Sequence, residues 1–372
     1  MSMKPPLSRA AAVLALVLAG CGGATASGSA PARTDVVGSP TPPPASVPTA
    51  TPANVSPSIT IPSARTILVD TDVAPDDLVA LSFLLSAPNV TVVAITVSGT
   101  GEAHCAGGVA VVLGLLEYLD APAIPVACGR ETPLAGDHAF PEQWREGADR
   151  GSGFEVPATT RVPVEGNAVE LIKGMAGDHP GLEILTLGPL TNLGDALQST
   201  PDLADRLGSV YIMGGALKVP GNLVGPGAPT GNVVAEWNIY VDPRAAAIVV
   251  EMGLEPNFVS LDGTSQVPLT MEFAQRAINS ASQPAGNVLA QLLRANPFMS
   301  SGSYYLWDPL AAEVAAGYPV GTLAPVSISI EEAEGPESGF TRPTTDGPNC
   351  EYLITADATA AENTLLAVLG AP

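Results

Sequence analysis

The run Thr66-Ile67-Leu68-Val69-Asp70-Thr71-Asp72-Val73-Ala74-Pro75-Asp76-Asp77-Leu78-Val79-Ala80-Leu81 decides the fold. Its first part, Thr66 to Val69, is apolar and β-branched, as a buried strand is. From Asp76 onward, Leu78, Val79, Leu81, Leu84 and Leu85 fall at helical spacing. A strand running straight into a helix begins a β-α unit, and the carboxylates sit at the junction. Asp70 and Asp72 are two apart, so both can face one side. Asp76 and Asp77 open the helix, where the dipole favours negative charge. Four carboxylates within eight residues repel one another, and some counter-charge must offset that. A helix cap with solvated neighbours accounts for one or two acidic residues, not for four at a strand end. A hard cation that takes oxygen ligands, such as calcium, is the natural candidate. A magnesium phosphotransferase with a strand-end Asp-x-Asp competes with it. That reading calls for a lysine near the phosphate, and lysine is scarce.

The pattern repeats outward from this run. Val90 to Val97 is a second continuous apolar strand, closed by the turn Ser98-Gly99-Thr100-Gly101, and Ala106 to Leu119 is a second helix. Ile124 to Ala127 reads as a third strand. Residues 129–166 break the rhythm with Gly, Pro and charge, and with Phe140, Trp144 and Phe154 scattered through. An insertion of that length is often a binding loop or lid. The alternation resumes with a helix from Ala168 to Met175, a strand from Leu182 to Leu187 and a helix from Leu190 to Leu197. A strand from Val210 to Met213, a helix from Pro243 to Met252 and a strand from Phe258 to Leu261 follow. Helices are expected near 269–279, 286–295 and 308–317, then strands at Val326 to Ile330 and Tyr352 to Thr355 and a last helix over 357–369. Continuous apolar strands alternating with helices predict an α/β class: one large domain, residues 63–372, with a mostly parallel, Rossmann-like sheet flanked by helices.

The N-terminus is not fold. Lys4 and Arg9 precede the apolar run Ala10 to Ala19, which is too short for an ordinary membrane span, and Leu18-Ala19-Gly20-Cys21 follows. This predicts a lipoprotein signal peptide over residues 1–20, with lipid on the Cys21 thiol. Residues 21–62 are Pro, Ser, Thr, Ala and Gly with almost no large apolar side chain, which predicts a disordered tether. The expected location is exported and membrane-anchored on the extracytoplasmic side, with the lipid as the sole membrane contact. The net charge of −22 excludes nucleic acid, which needs clustered Lys and Arg. Cys105, Cys128 and Cys350 remain, and export permits a disulfide without showing which residues pair.

Five stretches, in order, carry a family resemblance. Val69 to Leu81 resembles the N-terminal signature of inosine/uridine-preferring nucleoside hydrolases. Thr186-Leu187-Gly188-Pro189-Leu190-Thr191-Asn192 is similar to their central turn, and Met213-Gly214-Gly215 to a strand end. Gly231-Asn232 with Ala235-Glu236-Trp237-Asn238-Ile239-Tyr240-Val241-Asp242-Pro243 looks like their sugar-binding segment. Trp307-Asp308-Pro309 matches their late metal-binding Asp. The resemblance implies hydrolysis of the N-glycosidic bond of a small nucleoside to base and ribose. It implies Ca2+ bound by Asp72, Asp77, Asp308 and the carbonyl of Leu187, with Asp72 also taking a proton from the attacking water. It places Asp76 and Asn238 on the ribose 2′- and 3′-hydroxyls. Glu236, Asn232 and Met213 would line the pocket toward the 5′ end. A homo-oligomer is compatible with the family.

Departures bear on the substrate. Val73-Ala74-Pro75 stands where the family has Pro-Gly, Thr100 stands where it usually has Asn, and Asn232 lies closer to Glu236 than usual. Many members carry a His before the late Asp to protonate the leaving base, and this chain has Trp307. Trp307 and Trp237 resemble the purine-preferring branch, where an aromatic face holds the purine; core packing accounts for Trp307 equally well. His104 is a candidate acid or a capping residue, and Met213 a ligand contact or core. Asp242 before Pro243 reads as a helix cap. Two functional alternatives stand beside nucleoside hydrolysis: hydrolysis of another riboside on the same scaffold, and an exported nucleoside- or sugar-binding lipoprotein without turnover.

Overall fold

In a computed structural model that describes residues 60–370, the acidic run spans strand β1, Arg65–Thr71, and the helix Pro75–Ser86. The signal peptide, Cys21 and all of the tether before residue 60 lie outside the described residues. Ile67, Leu68 and Val69 of β1 are fully buried, each contributing about 1.5–3 kcal/mol by leaving water. Ile67 and Val69 pack on one face of the sheet and Leu68 on the other, so both faces are covered. The helix is also apolar nearly all round and is buried from Pro75 to Leu84.

The remaining strands are β2 Val90–Val97, β3 Val126–Cys128, β4 Leu182–Thr186, β5 Leu207–Met213, β6 Asn257–Val259, β7 Gly321–Ile330, β8 Thr341–Thr344 and β9 Asn349–Ala356. They form one sheet in the order β3-β2-β1-β4-β5-β6-β9-β7-β8. All neighbours are parallel from β3 to β9, and β7 runs antiparallel to β9 and β8. The chain builds outward from β1 to β2 and β3, then returns to the other side of β1 for β4, β5 and β6. That reversal puts a topological switch point between β1 and β4, where open α/β sheets bind their ligands.

The structure departs from the expected elements, or adds to them, in four places. Trp237–Val241, strand-like by its residues, is a short helix, because the Glu236 side chain accepts the N–H groups of Asn238 and Ile239 at its N-terminus. Residues 129–166 contain the helix Glu142–Ala148. β8 escaped notice because Arg342-Pro343 interrupts any strand pattern, which an edge strand tolerates. Leu261 opens the short helix Leu261–Thr264 instead of ending a strand. Cys105 and Cys128 form a disulfide from the start of the helix Cys105–Tyr118 to the end of β3, and Cys350 is free and buried. Among the described residues no helix is long and apolar enough to cross a membrane.

Candidate active site

The acidic cluster lies at the C-terminal end of β1, at the switch point. Its local fold is built by its own side chains. The Asp77 carboxylate accepts from the Thr71 hydroxyl, from Asp72 N–H at 3.1 Å and from Ala74 N–H at 3.1 Å, tying the strand end to the helix start. The connection forces Val73 to φ 67°, a left-handed conformation that a β-branched residue rarely adopts. Strain of this kind persists where surrounding bonds over-determine it. The neighbouring backbones close on Asp72. A Cβ on Gly101 would lie 2.1 Å from that of Asp72, and one on Gly188 would lie 2.5 Å from it, so only glycine fits at either place.

The carboxylates divide by what they touch. Asp70 is fully buried; its Oδ1 accepts from Thr96 Oγ1 at 2.5 Å and Asn192 Nδ2 at 2.7 Å, and its Oδ2 has no partner. Asp72 Oδ2 accepts the Glu102 backbone N–H at 3.0 Å. Asp76 Oδ1 accepts the Tyr304 hydroxyl at 2.6 Å. Asp76, Asp77 and Asp308 are buried, and each offers an oxygen within 4.8 Å of the others. Asp308 comes from the helix Trp307–Ala315, which packs against Pro75–Ser86. Thus Asp77 and Asp308, expected together, do meet. Asp76, expected on the sugar, joins their compact group, and Asp72 stands beside it.

No salt bridge reaches these carboxylates among the described residues. Burial is the largest cause of the upward shifts at Asp70, Asp72, Asp76 and Asp308. It pushes Asp76 up to about 7, with the Asp77 charge adding to it. Glu102 rises to about 8 through burial and then the charges of Asp76 and Asp77. Burial, followed by the Asp77 charge, holds Asp72 and Asp308 well above the usual carboxylate range. An all-oxygen, buried and electrostatically unbalanced set fits a hard divalent cation, whose charge would reverse these shifts.

The sugar-binding segment is built differently. Glu236 Oε1 accepts from Asn238 N at 2.9 Å, and Oε2 from Gly215 N at 3.1 Å and Ile239 N at 3.2 Å. Burial raises it to about 7 against those bonds. Asn232 donates to Ser338 O at 2.8 Å and accepts from Val234 N and Ala235 N. Asn238 Nδ2 donates to Leu187 O at 2.7 Å and Met213 O at 3.1 Å, which places the Leu187 carbonyl and Met213 beside it. Met213 also belongs to the core. Asp242 caps the helix Pro243–Glu251 through Ala245 N, as expected.

The aromatic candidates separate. Trp237 is 5% exposed, stacked on Phe140 at 4.9 Å and edge-on to Trp144 and Tyr240. Trp307 is half-buried, edge-on to Tyr304 at 4.5 Å and near Tyr305. Thr100 is occupied: its hydroxyl meets Ser98 Oγ at 3.0 Å and Thr191 Oγ1 at 2.9 Å. His104 holds Asp149 through its N–H and Nδ1, both at 2.8 Å. Two residues near the site were missed, Glu102 and Tyr304. Glu102 was within reach of the strand-end rule, since it closes the turn after β2. Nothing in the local pattern marks Tyr304.

Fold and site define an α/β enzyme with a carboxylate centre at the switch point of its sheet. Residues 67–363 match the model of the inosine-uridine preferring nucleoside hydrolases, and the chain belongs to that family, whose members are N-ribosyl hydrolases. It is 32% identical over 220 residues to probable uridine nucleosidase 1 of rice, a match spanning 59% of this chain and 65% of that protein. It resembles a solved plant nucleoside hydrolase with a TM-score of 0.72 and 28% identity, covering 83% of this chain and 99% of that one. A purine-preferring ribonucleoside hydrolase from Gardnerella vaginalis superposes with a TM-score of 0.71 at 26% identity, covering 82% and 99%.

Proposed function

We propose that the protein hydrolyses the N-glycosidic bond of ribonucleosides, releasing free base and ribose, with a calcium ion held by Asp72, Asp77, Asp308 and the Leu187 carbonyl. The observation that carries this is the buried, uncompensated carboxylate set at the switch point of a nucleoside hydrolase fold. When bound, a divalent cation polarises the water it orients and lowers that water's pKa. Asp72 accepts a proton from the water that attacks C1′. The C1′–N bond breaks, its electron pair leaves with the base, and the base takes up a proton. Asp76 and Asn238 hold the ribose 2′- and 3′-hydroxyls, and Asn232, Glu236 and Met213 shape the pocket toward the 5′ end. Buried acceptors around the sugar favour the oxocarbenium-like charge that develops there.

Purine preference is part of the proposal. It is supported by Trp307, half-buried on the helix that carries Asp308, and less by Trp237, whose ring is enclosed by Phe140 and Trp144. Export and tethering through Cys21 are proposed from the N-terminal sequence, and the Cys105–Cys128 disulfide suits an oxidising compartment.

Purine and pyrimidine nucleosides assayed with and without a chelator test this reading. Base release that chelation abolishes and calcium restores is the expected result, with inosine ahead of uridine. Unchanged release by Asp72→Asn would remove Asp72 from catalysis. Riboside binding without release of any base would establish the binding-protein alternative. Another riboside as substrate is the second reading, because the Thr100 hydroxyl is engaged by Ser98 and Thr191 at the position where the family resemblance leads one to expect an Asn.

A further inference from the structure

Asp76 stands at a fork. One of its oxygens lies within 4.8 Å of oxygens from both Asp77 and Asp308, near enough to join a shared cation. The proposed reaction instead needs it on the ribose. A carboxylate at a helix start turns about its side-chain torsions, so something must set its direction. Tyr304 does so across 228 residues of sequence, its hydroxyl donating to Asp76 Oδ1 at 2.6 Å.

Tyr304 is itself held on several sides. Its carbonyl accepts Leu269 N–H at 2.8 Å, and Tyr305 pairs with Pro268 in an isolated antiparallel bridge. Its ring stands edge-on to Trp307 at 4.5 Å and to Phe298 at 5.9 Å. Trp307 begins the helix that carries Asp308. The phenol therefore touches Asp76 at one end, while its ring packs against the aromatic residue proposed to face the base.

We infer that Tyr304 is the positioning residue that keeps Asp76 for the sugar and out of the cation's ligand set. This rests on the reading of Asp76 as the ribose carboxylate. With Oδ1 engaged by the phenol, the other oxygen presents one fixed acceptor to a ribose hydroxyl. Without the phenol, Asp76 is free to rotate toward Asp77 and Asp308. The two roles of the carboxylates would then blur, at the expense of sugar binding.

Tyr304→Phe removes the hydroxyl and keeps the ring against Trp307. The full chain and this variant are compared by calorimetry with D-ribose, with hypoxanthine and with calcium, and by kcat and KM on inosine. Losing a hydrogen bond to a charged acceptor should weaken ribose binding and raise KM by about tenfold. Hypoxanthine binding should stay the same, and calcium binding should be unchanged or tighter. Tyr304→Ala, which also removes the ring, should weaken hypoxanthine as well. Unchanged ribose affinity in Tyr304→Phe overturns the inference. So does parallel weakening of ribose, hypoxanthine and calcium, which would mark a general structural role. The ribose measurement needs no turnover, so a chain that hydrolyses no nucleoside would defeat the proposed function and still leave this inference decided by ribose binding.

Discussion

The end of β1 and the segment from Gly231 to Val241 each match a stretch of the family resemblance, yet the first gathers buried carboxylates without a counter-charge and the second satisfies its polar side chains with backbone groups. At the strand end, buried carboxylates crowd together with an unpartnered Asp70 oxygen and no salt bridge. In the later segment, Glu236 and Asn232 have both ends of their side chains engaged by backbone groups. A buried polar group lacking a partner costs free energy that only a ligand or a proton can recover. A satisfied one gives that free energy to the scaffold. The first region thus leaves free energy that a ligand or a proton can recover, and the second gives it to the scaffold.

Variants can break this contrast. The largest effect is expected for Asp72→Asn, which should lower kcat by about 10²–10⁴-fold, the range of a lost general base. The same change removes a buried carboxylate, so the metal-free protein should melt no lower than wild type. A lower Tm would mean that Asp72 supports the fold, contrary to the contrast.

Calcium added to chelated protein should stabilise it by about 2.7 kcal/mol at a hundredfold excess over Kd, read as a rise in Tm. The pH dependence follows from Asp76, raised from 3.8 to about 7. A raised pKa contributes stability that is fully present below 3.8 and is lost as pH rises through about 7. Metal-free protein should therefore lose stability across that window, and the gain from calcium should grow with pH. A gain that shrank with pH would contradict the unbalanced-carboxylate picture.

Glu236→Gln should act mainly on the fold, costing about 1–2 kcal/mol in urea unfolding through loss of a helix cap. Smallest is Asn232→Ala, expected to cost about 1 kcal/mol of stability and to move KM by less than about threefold. A tenfold rise in KM with unchanged stability would place Asn232 among the binding residues after all.

What the sequence made legible follows the same division. The core strands stood out because burial on both faces leaves continuous apolar runs such as Val90 to Val97, whose bounds match β2. The acidic cluster stood out because four Asp residues at a strand end have no neutral explanation. Local propensity points the wrong way at Ile239 to Val241, where β-branched and aromatic residues sit in a helix that Glu236 initiates. The disulfide, the Tyr304 bond to Asp76 and the packing of Trp237 on Phe140 are contacts between distant segments, and no local pattern encodes them.

The meeting of Asp76 and Asp77 with Tyr304 and Asp308 also has a kinetic consequence. The site joins the first β-α unit to a helix that follows most of the parallel sheet. Contacts so distant along the chain close late, because loop closure must be met before they form. A chain that has folded its first half would carry Asp72 and Asp77 but no Asp308, and should bind calcium weakly. Full affinity would then arrive only with the last helices, and ion binding followed during refolding would time the completion of the whole domain.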